Sequence, residues 1–369
     1  MRQQDHTEVT YKILNNTSLR QVANWHRSLL LYTGKDINQL LNFYAAPLFK
    51  AAHDLEDGLV ELTLRDGSKL SVKFFYMADG AGRRSLLGVG TATSKYPMVW
   101  NHLLNTQYKN LSTFSPITRT VVSMEQNEPK DDSMSHKKRT QHAASNKGQY
   151  GPNVPGRDAA NYFPDGFHQG LLCSPRVLSY MIRAVMGDDN SDSDEFATHL
   201  RKLGLKFRIQ HTEHDGRLVL KMYGNDCRAL HGKGFQILHT EDFEFMSSSS
   251  QRESMTNVWE AMEVVLKDLN NANLDTAMPP GAFFKSMHLF LWKGVVVYGL
   301  KFITPTLREM RDQNPYFKQS LTLIGLTLAH LSVDSFEAWH RVQKYRLQRD
   351  LRAGGKAGRP GVLERLLVC

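Results

Sequence analysis

The run Lys69–Gly82, KLSVKFFYMADGAG, carries a strand-like apolar pattern straight into a carboxylate, Asp79, with glycine on its far side. Aspartate is a poor strand former, so its place at the end of a β-rich run points to a side chain serving a site at the strand's edge. An Asp-Gly turn is the plainer reading of the same residues. The pattern recurs at Arg217–Asp226, RLVLKMYGND, where a second apolar run ends on Asp226. Two carboxylates on neighbouring strand ends, joined by one from a helix, suit two-metal phosphoryl transfer. One ion activates the attacking oxygen and the other stabilises the leaving oxygen. Mg²⁺ takes hard oxygen ligands and lets substrate phosphates complete its shell. Without ions the clustered anions would raise one another's pKa, so such a site draws Mg²⁺ or Mn²⁺.

The elements that must position these residues follow from periodicity. Residues 18 to 53 hold two apolar-periodic stretches, VANWHRSLLLY and INQLLNFYAAPLFKAA, which predict two helices around a turn at Thr33–Asp36. The period then becomes two. Leu59–Leu64 and Lys69–Asp79 predict a hairpin around Arg65-Asp-Gly67, and Tyr96–Leu104 and Ile117–Met124 predict further strands. From Glu125 to Phe167 the sequence is polar and rich in Asn, Gly, Asp and Pro, which predicts a surface insertion at about 130–167, its His136-Lys-Lys-Arg139 cluster facing water. Ser174-Pro175 predicts a helix start running to Met186, and a second helix is expected over Ser193–Leu203. Leu205–His211 and Arg217–Tyr223 alternate across His214-Asp-Gly216 as another hairpin. Helical periodicity returns over Ser254–Leu269, parts of 284–313, Phe317–Leu331 and Ser335–Arg352, before a glycine-rich tail. The expected organisation is a helical leader (1–55), a core (56–245), a helical C-terminal region (246–353) and a flexible tail (354–369). The fold class is α/β or α+β.

The chain has 369 residues, room for one large or two modest domains. Its 46 Lys and Arg against 37 Asp and Glu leave +9, which favours a polyanionic partner. Cys173, Cys227 and Cys369 are spaced too widely for a zinc knuckle or a disulfide framework, which fits a reducing, intracellular setting. The first twelve residues hold no apolar signal core. Met287–Ile303 is the most apolar stretch, but Lys293, Gly294 and Lys301 interrupt it short of the roughly 20 residues a membrane span needs, so it reads as buried core with no membrane contact.

Three runs, in order, resemble the catalytic core of Transib transposases and the RAG recombinase: Ala78-Asp79-Gly-Ala-Gly82, Leu172-Cys-Ser-Pro175 leading to Met186-Gly-Asp-Asp-Asn-Ser-Asp192, and Leu218–Asp226. The likeness covers about residues 55–235. It implies an RNase H-like mixed sheet flanked by helices, with two aspartates and a glutamate holding Mg²⁺ or Mn²⁺. By resemblance Asp79 and Asp226 match the two aspartates, and Val121–Pro129, with Glu125 and Glu128, resembles the family's strand before a Glu/Asn-Pro segment. The glutamate falls on a late helix, for which Glu337 is preferred over Glu260 and Glu263 because basic residues follow it. The implied activity is metal-dependent DNA strand cleavage, with or without strand transfer, by a nuclear homodimer on double-stranded DNA. The family's Cys/His zinc module has no counterpart over Gly232–Phe245, where no cysteine pair occurs.

Arg341, Lys344, Arg346, Arg349 and Arg352 follow Glu337 at spacings that would line a DNA backbone. Gly358-Arg359-Pro360 resembles a minor-groove AT-hook. Two rival readings use the same residues. An inactive, transposase-derived DNA-binding protein would account for the basic tail and the missing zinc module. A viral RNA-dependent polymerase palm would use Gly187-Asp188-Asp189, although the helical pattern before that tripeptide speaks against it.

Overall fold

The computed structural model describes residues 6–11, 27–33, 38–131, 133–186, 207–211, 218–222, 230, 234–239 and 247–331. The chain is helix-rich with small sheets, an α+β composition. The described residues fall into two units, one drawn from Met1–Thr91 and Arg119–Phe163, the other from Ala92–Thr118 and Pro164–Leu331.

In the first unit β1 (His6–Tyr11) pairs antiparallel with β2 (Arg27–Thr33). The helix expected over the first apolar stretch is therefore corrected for Arg27–Thr33. A short apolar run such as Ser-Leu-Leu-Leu-Tyr-Thr fits either period, and here the cross-strand partner decides. The second expected helix stands as α1 (Asn38–Glu56), with Leu41, Ala45 and Phe49 buried. The expected hairpin shrinks to β3 (Leu62–Thr63) against β4 (Lys69–Leu70), both exposed. Lys69–Asp79 is not one strand: after β4 the chain runs irregularly to β5 (Tyr76–Met77), which pairs in parallel with β6 (Tyr162–Phe163). With Ser71 and Lys73 exposed, the middle of the run has no buried face to specify a longer ladder. Then come α2 (Gly80–Leu87), α3 (Val121–Asn127) and α4 (His136–Ser145).

Two further expectations change here. Ile117–Met124 is not a strand, because Thr120 and Ser123 form a reciprocal capping box that starts α3 through its Val-Val pair. Glu125 accordingly sits on a helix. Nor is 130–167 a surface insertion. Ala143, Val154, Ala159, Tyr162 and Phe163 are buried, and Arg139 of the basic cluster is 2% exposed, donating to the carbonyls of Met134 and Tyr150. Polar composition misled because the segment folds through side-chain to backbone bonds rather than apolar periodicity.

The second unit holds α5 (Gly166–Met186), β7 (Phe207–His211) antiparallel to β8 (Leu218–Met222), α6 (Gly234–Leu238), α7 (Ser249–Leu269), α8 (Pro280–Tyr298), α9 (Pro305–Asp312) and α10 (Asn314–Thr322). The β7–β8 hairpin and the helices over Ser254–Leu269 and parts of 284–313 fall where expected. The helix expected over Phe317–Leu331 ends at Thr322, with a 3-10 turn at Leu328–Leu331. The helices expected over Ser193–Leu203 and Ser335–Arg352 lie outside the described residues. Helix α5 begins eight residues before the expected Ser174-Pro175 start, and Tyr96–Leu104 is irregular rather than a strand. Its core gathers Trp100, Met181, Trp259, Met262, Phe283, Phe290, Phe302 and Phe317, all at most 1% exposed.

Residues 92–118 contain neither helix nor strand, and charged side chains of α9 hold them. Asp312 receives Arg308 Nε and Arg311 Nε, each at 2.6 Å, and the amide of Ser115 at 3.1 Å. The two guanidiniums donate onward to the carbonyls of Asn110, Leu111 (2.7 Å) and Thr113. Glu309 accepts the amide of Val99 at 2.6 Å, and Gln313 donates to the carbonyl of Ser115 at 2.5 Å. All five side chains are at most 3% exposed, so these bonds replace water for loop and helix together. Asp312→Ala would strand two buried guanidiniums, and unfolding titrations should show a loss of about 3–5 kcal/mol. A loss below about 1 kcal/mol would contradict this placement of charge.

Candidate functional site

Asp79 leaves β5 and starts α2. Its Oδ1 accepts the amide of Gly82 at 2.6 Å and its carbonyl accepts the amide of Arg83 at 2.9 Å, the bonding of a helix N-cap. The residue is exposed. Arg83, buried in the same helix, donates to the carbonyl of Phe163 at 3.1 Å and so fastens α2 to β6. The helix stops at Gly88, whose φ of 63° favours glycine, and where an added Cβ would lie 2.1 Å from the carbonyl oxygen of Gly151.

Upstream, the end of α1 positions β5. Glu56 accepts the amide of Phe74 at 3.2 Å and pairs with Lys73 at 3.0 Å and Arg157 at 3.2 Å. Arg157 also reaches Asp57 at 3.2 Å. Against this network lie His53 and Tyr76, whose ring centroids are 6.3 Å apart, while Phe49 and Tyr162 each stand 5.6 Å from the Tyr76 ring. His53 Nε2 is buried and makes no hydrogen bond among the described residues, while the Arg157 guanidinium lies against the Tyr76 hydroxyl. Burial, then the nearby Glu56 charge, pushes the Tyr76 phenol up to about 12. Burial first and Arg157 second hold the His53 imidazole below its ordinary value.

In the second unit Asp165, fully buried, caps α5 through its carbonyl and hydrogen-bonds His168 Nδ1. The buried carboxylate at Nδ1 orients the imidazole. Gln169 and Asn314 exchange amide hydrogen bonds at 2.8 and 3.2 Å beside it.

Of the residues singled out from sequence, Asp79 lies two residues past β5 and is the N-cap of α2. Asp226, Glu337, Arg341, Lys344, Arg346, Arg349 and Arg352 lie outside the described residues, as do Asp188 and Asp189. Glu260 is exposed on α7, and Glu263 accepts Trp259 Nε1 at 2.7 Å. Glu128 caps the end of α3 and lies 3.6 Å from Lys130. Asp79 offers the hard oxygen that Mg²⁺ takes, with Oδ1 already engaged by Gly82. Among the described residues, no three His, Cys, Asp or Glu side chains are grouped as a metal set. Sequence reading missed the His53–Tyr76–Arg157 cluster and the Asp165–His168 pair. Their members are far apart in the chain or hidden in ordinary helical context, and only the i, i+3 spacing of Asp165 and His168 was a signal. No protein-family model matches the chain, and no curated protein matches it.

The depressed His53 value has a consequence for stability. The unfolded chain takes up this proton at the ordinary value near 6.5 and the folded chain only below it, so stability is full above about pH 6.5 and falls as pH drops through the folded value. Thermal melts should show a larger Tm loss between about pH 7.5 and pH 5.5 for the native sequence than for His53→Gln. Equal losses in the two proteins would contradict it.

Proposed function

We propose that this chain is a transposase-like DNA-processing protein that cleaves DNA strands with Mg²⁺ or Mn²⁺, its residues 56–245 contributing an RNase H-like core. The observation that carries the reading is Asp79: an exposed carboxylate two residues past the two-residue parallel strand β5, in the sequence context Ala78–Gly82 that resembles the Transib and RAG catalytic core. The ordered likeness of the two later runs and the +9 charge support it. In this reading Asp79, Asp226 and Glu337 hold the ions, which supply the nucleophile activation and leaving-group stabilisation of phosphoryl transfer. Arg341, Lys344, Arg346, Arg349 and Arg352 grip the backbone of double-stranded DNA, and the protein works in the nucleus as a homodimer.

A second reading rests on the hydrogen bond from Gly82 to Asp79. A carboxylate that serves only as a cap leaves a DNA-binding protein without cleavage. Asparagine caps a helix about as well as aspartate, whereas alanine costs about 1 kcal/mol, so Asp79→Asn separates the roles. Cleavage predicts Mg²⁺- or Mn²⁺-dependent nicking of a cognate end within a broad DNA library. Asp79→Asn should abolish nicking, keep its melting temperature and keep salt-sensitive DNA binding. Binding with no metal-dependent nicking selects the second reading, and absence of DNA binding at low salt overturns both.

A further inference from the structure

Asp57 to Ser71 form an arm in which every residue is exposed. Its strands β3 and β4 pair Leu62 with Leu70 and Thr63 with Lys69, and among the described residues no third strand joins them. Alternation gives the arm two unlike faces. Leu62 and Leu70 share one, 41% and 46% exposed, with Leu64 next along it at 49%. Glu61 and Lys69 meet at 2.6 Å on the other, beside Thr63. A two-stranded hairpin is marginal in water on its own and becomes stable when further strands extend it.

Backbone direction and charge together select what extends it. The Leu64 amide donates to the Ser68 carbonyl at 2.8 Å, and opposed residues of an antiparallel ladder alternate between bonded and non-bonded pairs. Leu62 and Leu64 therefore turn their peptide groups to β4, while Glu61, Thr63 and Arg65 turn theirs outward. From Gly58 to Ser71 the arm sets Glu61 and Asp66 against Arg65 and Lys69, so it carries no net charge to attract a polyanion or a strongly charged partner. On the β4 side, Ser68 to Lys73 hold two lysines and no carboxylate, the charge that guards an edge. The β3 edge is instead complementary to itself. When two copies run antiparallel with Thr63 opposite Thr63, Glu61 meets Arg65 twice and Leu62 meets Leu64 twice, and the outward peptide groups of 61, 63 and 65 are the ones that bond. Centring the pair on Glu61 or Arg65 sets like charges opposite at the axis, and centring it on Leu62 or Leu64 leaves the charges unmatched.

We propose that β3 pairs antiparallel with β3 of a second copy of this chain, joining the two arms into one four-stranded sheet through Thr63–Thr63, Glu61–Arg65 and Leu62–Leu64. The two-fold axis passes through the Thr63 pair, so every other contact occurs twice. A contact of a few residues per copy gives a reversible, concentration-dependent dimer rather than an obligate one. It adds a surface to the homodimer of the proposed function, and its edge and register are read from the arm alone.

The test is sedimentation equilibrium of the full chain, which should show monomer and dimer exchanging between about 1 and 100 μM. Glu61→Arg sets arginine opposite arginine, and Arg65→Glu sets glutamate opposite glutamate, so each alone should dimerise at least about tenfold more weakly. An equimolar mixture of the two variants restores both opposite-charge pairs and should dimerise about as tightly as the native chain, a rescue that a misfolded arm would not give. Thr63→Pro removes an amide that β4 does not use, and should leave only monomer with the far-ultraviolet circular dichroism unchanged. A chain that stays monomeric over this range, a dimer indifferent to these changes, or two charge variants that fail to rescue each other would overturn the proposal. Neither DNA nor metal is present, so a failure of strand pairing is distinct from a failure of DNA cleavage.

Discussion

One carboxylate, Asp312, joins two buried guanidiniums to a loop that has no regular structure. Arg308 and Arg311 would each be costly to bury alone, and the irregular segment 92–118 would leave carbonyls of Asn110, Leu111 and Thr113 unpaired away from water. Each problem resolves the other once Asp312 neutralises charge and fixes both forks toward the loop. The same unit repeats the device where Asp268 receives Lys318 Nζ at 2.6 Å and the amide of Met278 at 2.6 Å, tying α10 to the connection between α7 and α8. The apolar packing of Trp100 on Phe317, with centroids 5.5 Å apart, brings loop and helix together, and the charged network fixes their register.

The first unit has its own polar arrangement at the end of α1. Glu56 anchors the backbone just ahead of β5 and gathers two cations, which sets the strand that delivers Asp79. Around it lie His53, Tyr76 and Arg157, with Arg157 shared between Glu56 and Asp57. Asp79 itself has a structural duty in α2. A metal-binding role would add to that duty, because only Oδ1 is engaged by the cap.

Legibility in the sequence tracked the kind of interaction. Long amphipathic stretches were readable: α7 buries Met255, Val258, Met262, Val265 and Leu269 at helical spacing, and the β7–β8 hairpin alternates as strands do. Short runs were not. Arg27–Thr33 fits either period until a partner strand selects one, and Ile117–Met124 looks extended until the Thr120–Ser123 box starts a helix. Charge concealed burial, so His136-Lys-Lys-Arg139 read as facing water although Arg139 lies inside, paired with the carbonyls of Met134 and Tyr150. Of the candidate metal site, sequence set Asp79 at the end of an eleven-residue strand pattern, of which the structure keeps β4 and β5, and its capping bond came only with the structure.

In the proposed site Asp79, Asp226 and Glu337 hold the same ions. Replacing Mg²⁺ by Fe²⁺ and generating hydroxyl radicals with ascorbate and peroxide cuts the backbone only near bound iron, and mass spectrometry locates the cuts. Cleavage should fall in three clusters, around residues 79, 226 and 337, all suppressed by excess Mg²⁺ and all lost together in Asp79→Asn. Cleavage confined elsewhere, or cuts near 226 and 337 that survive Asp79→Asn unchanged, would contradict it.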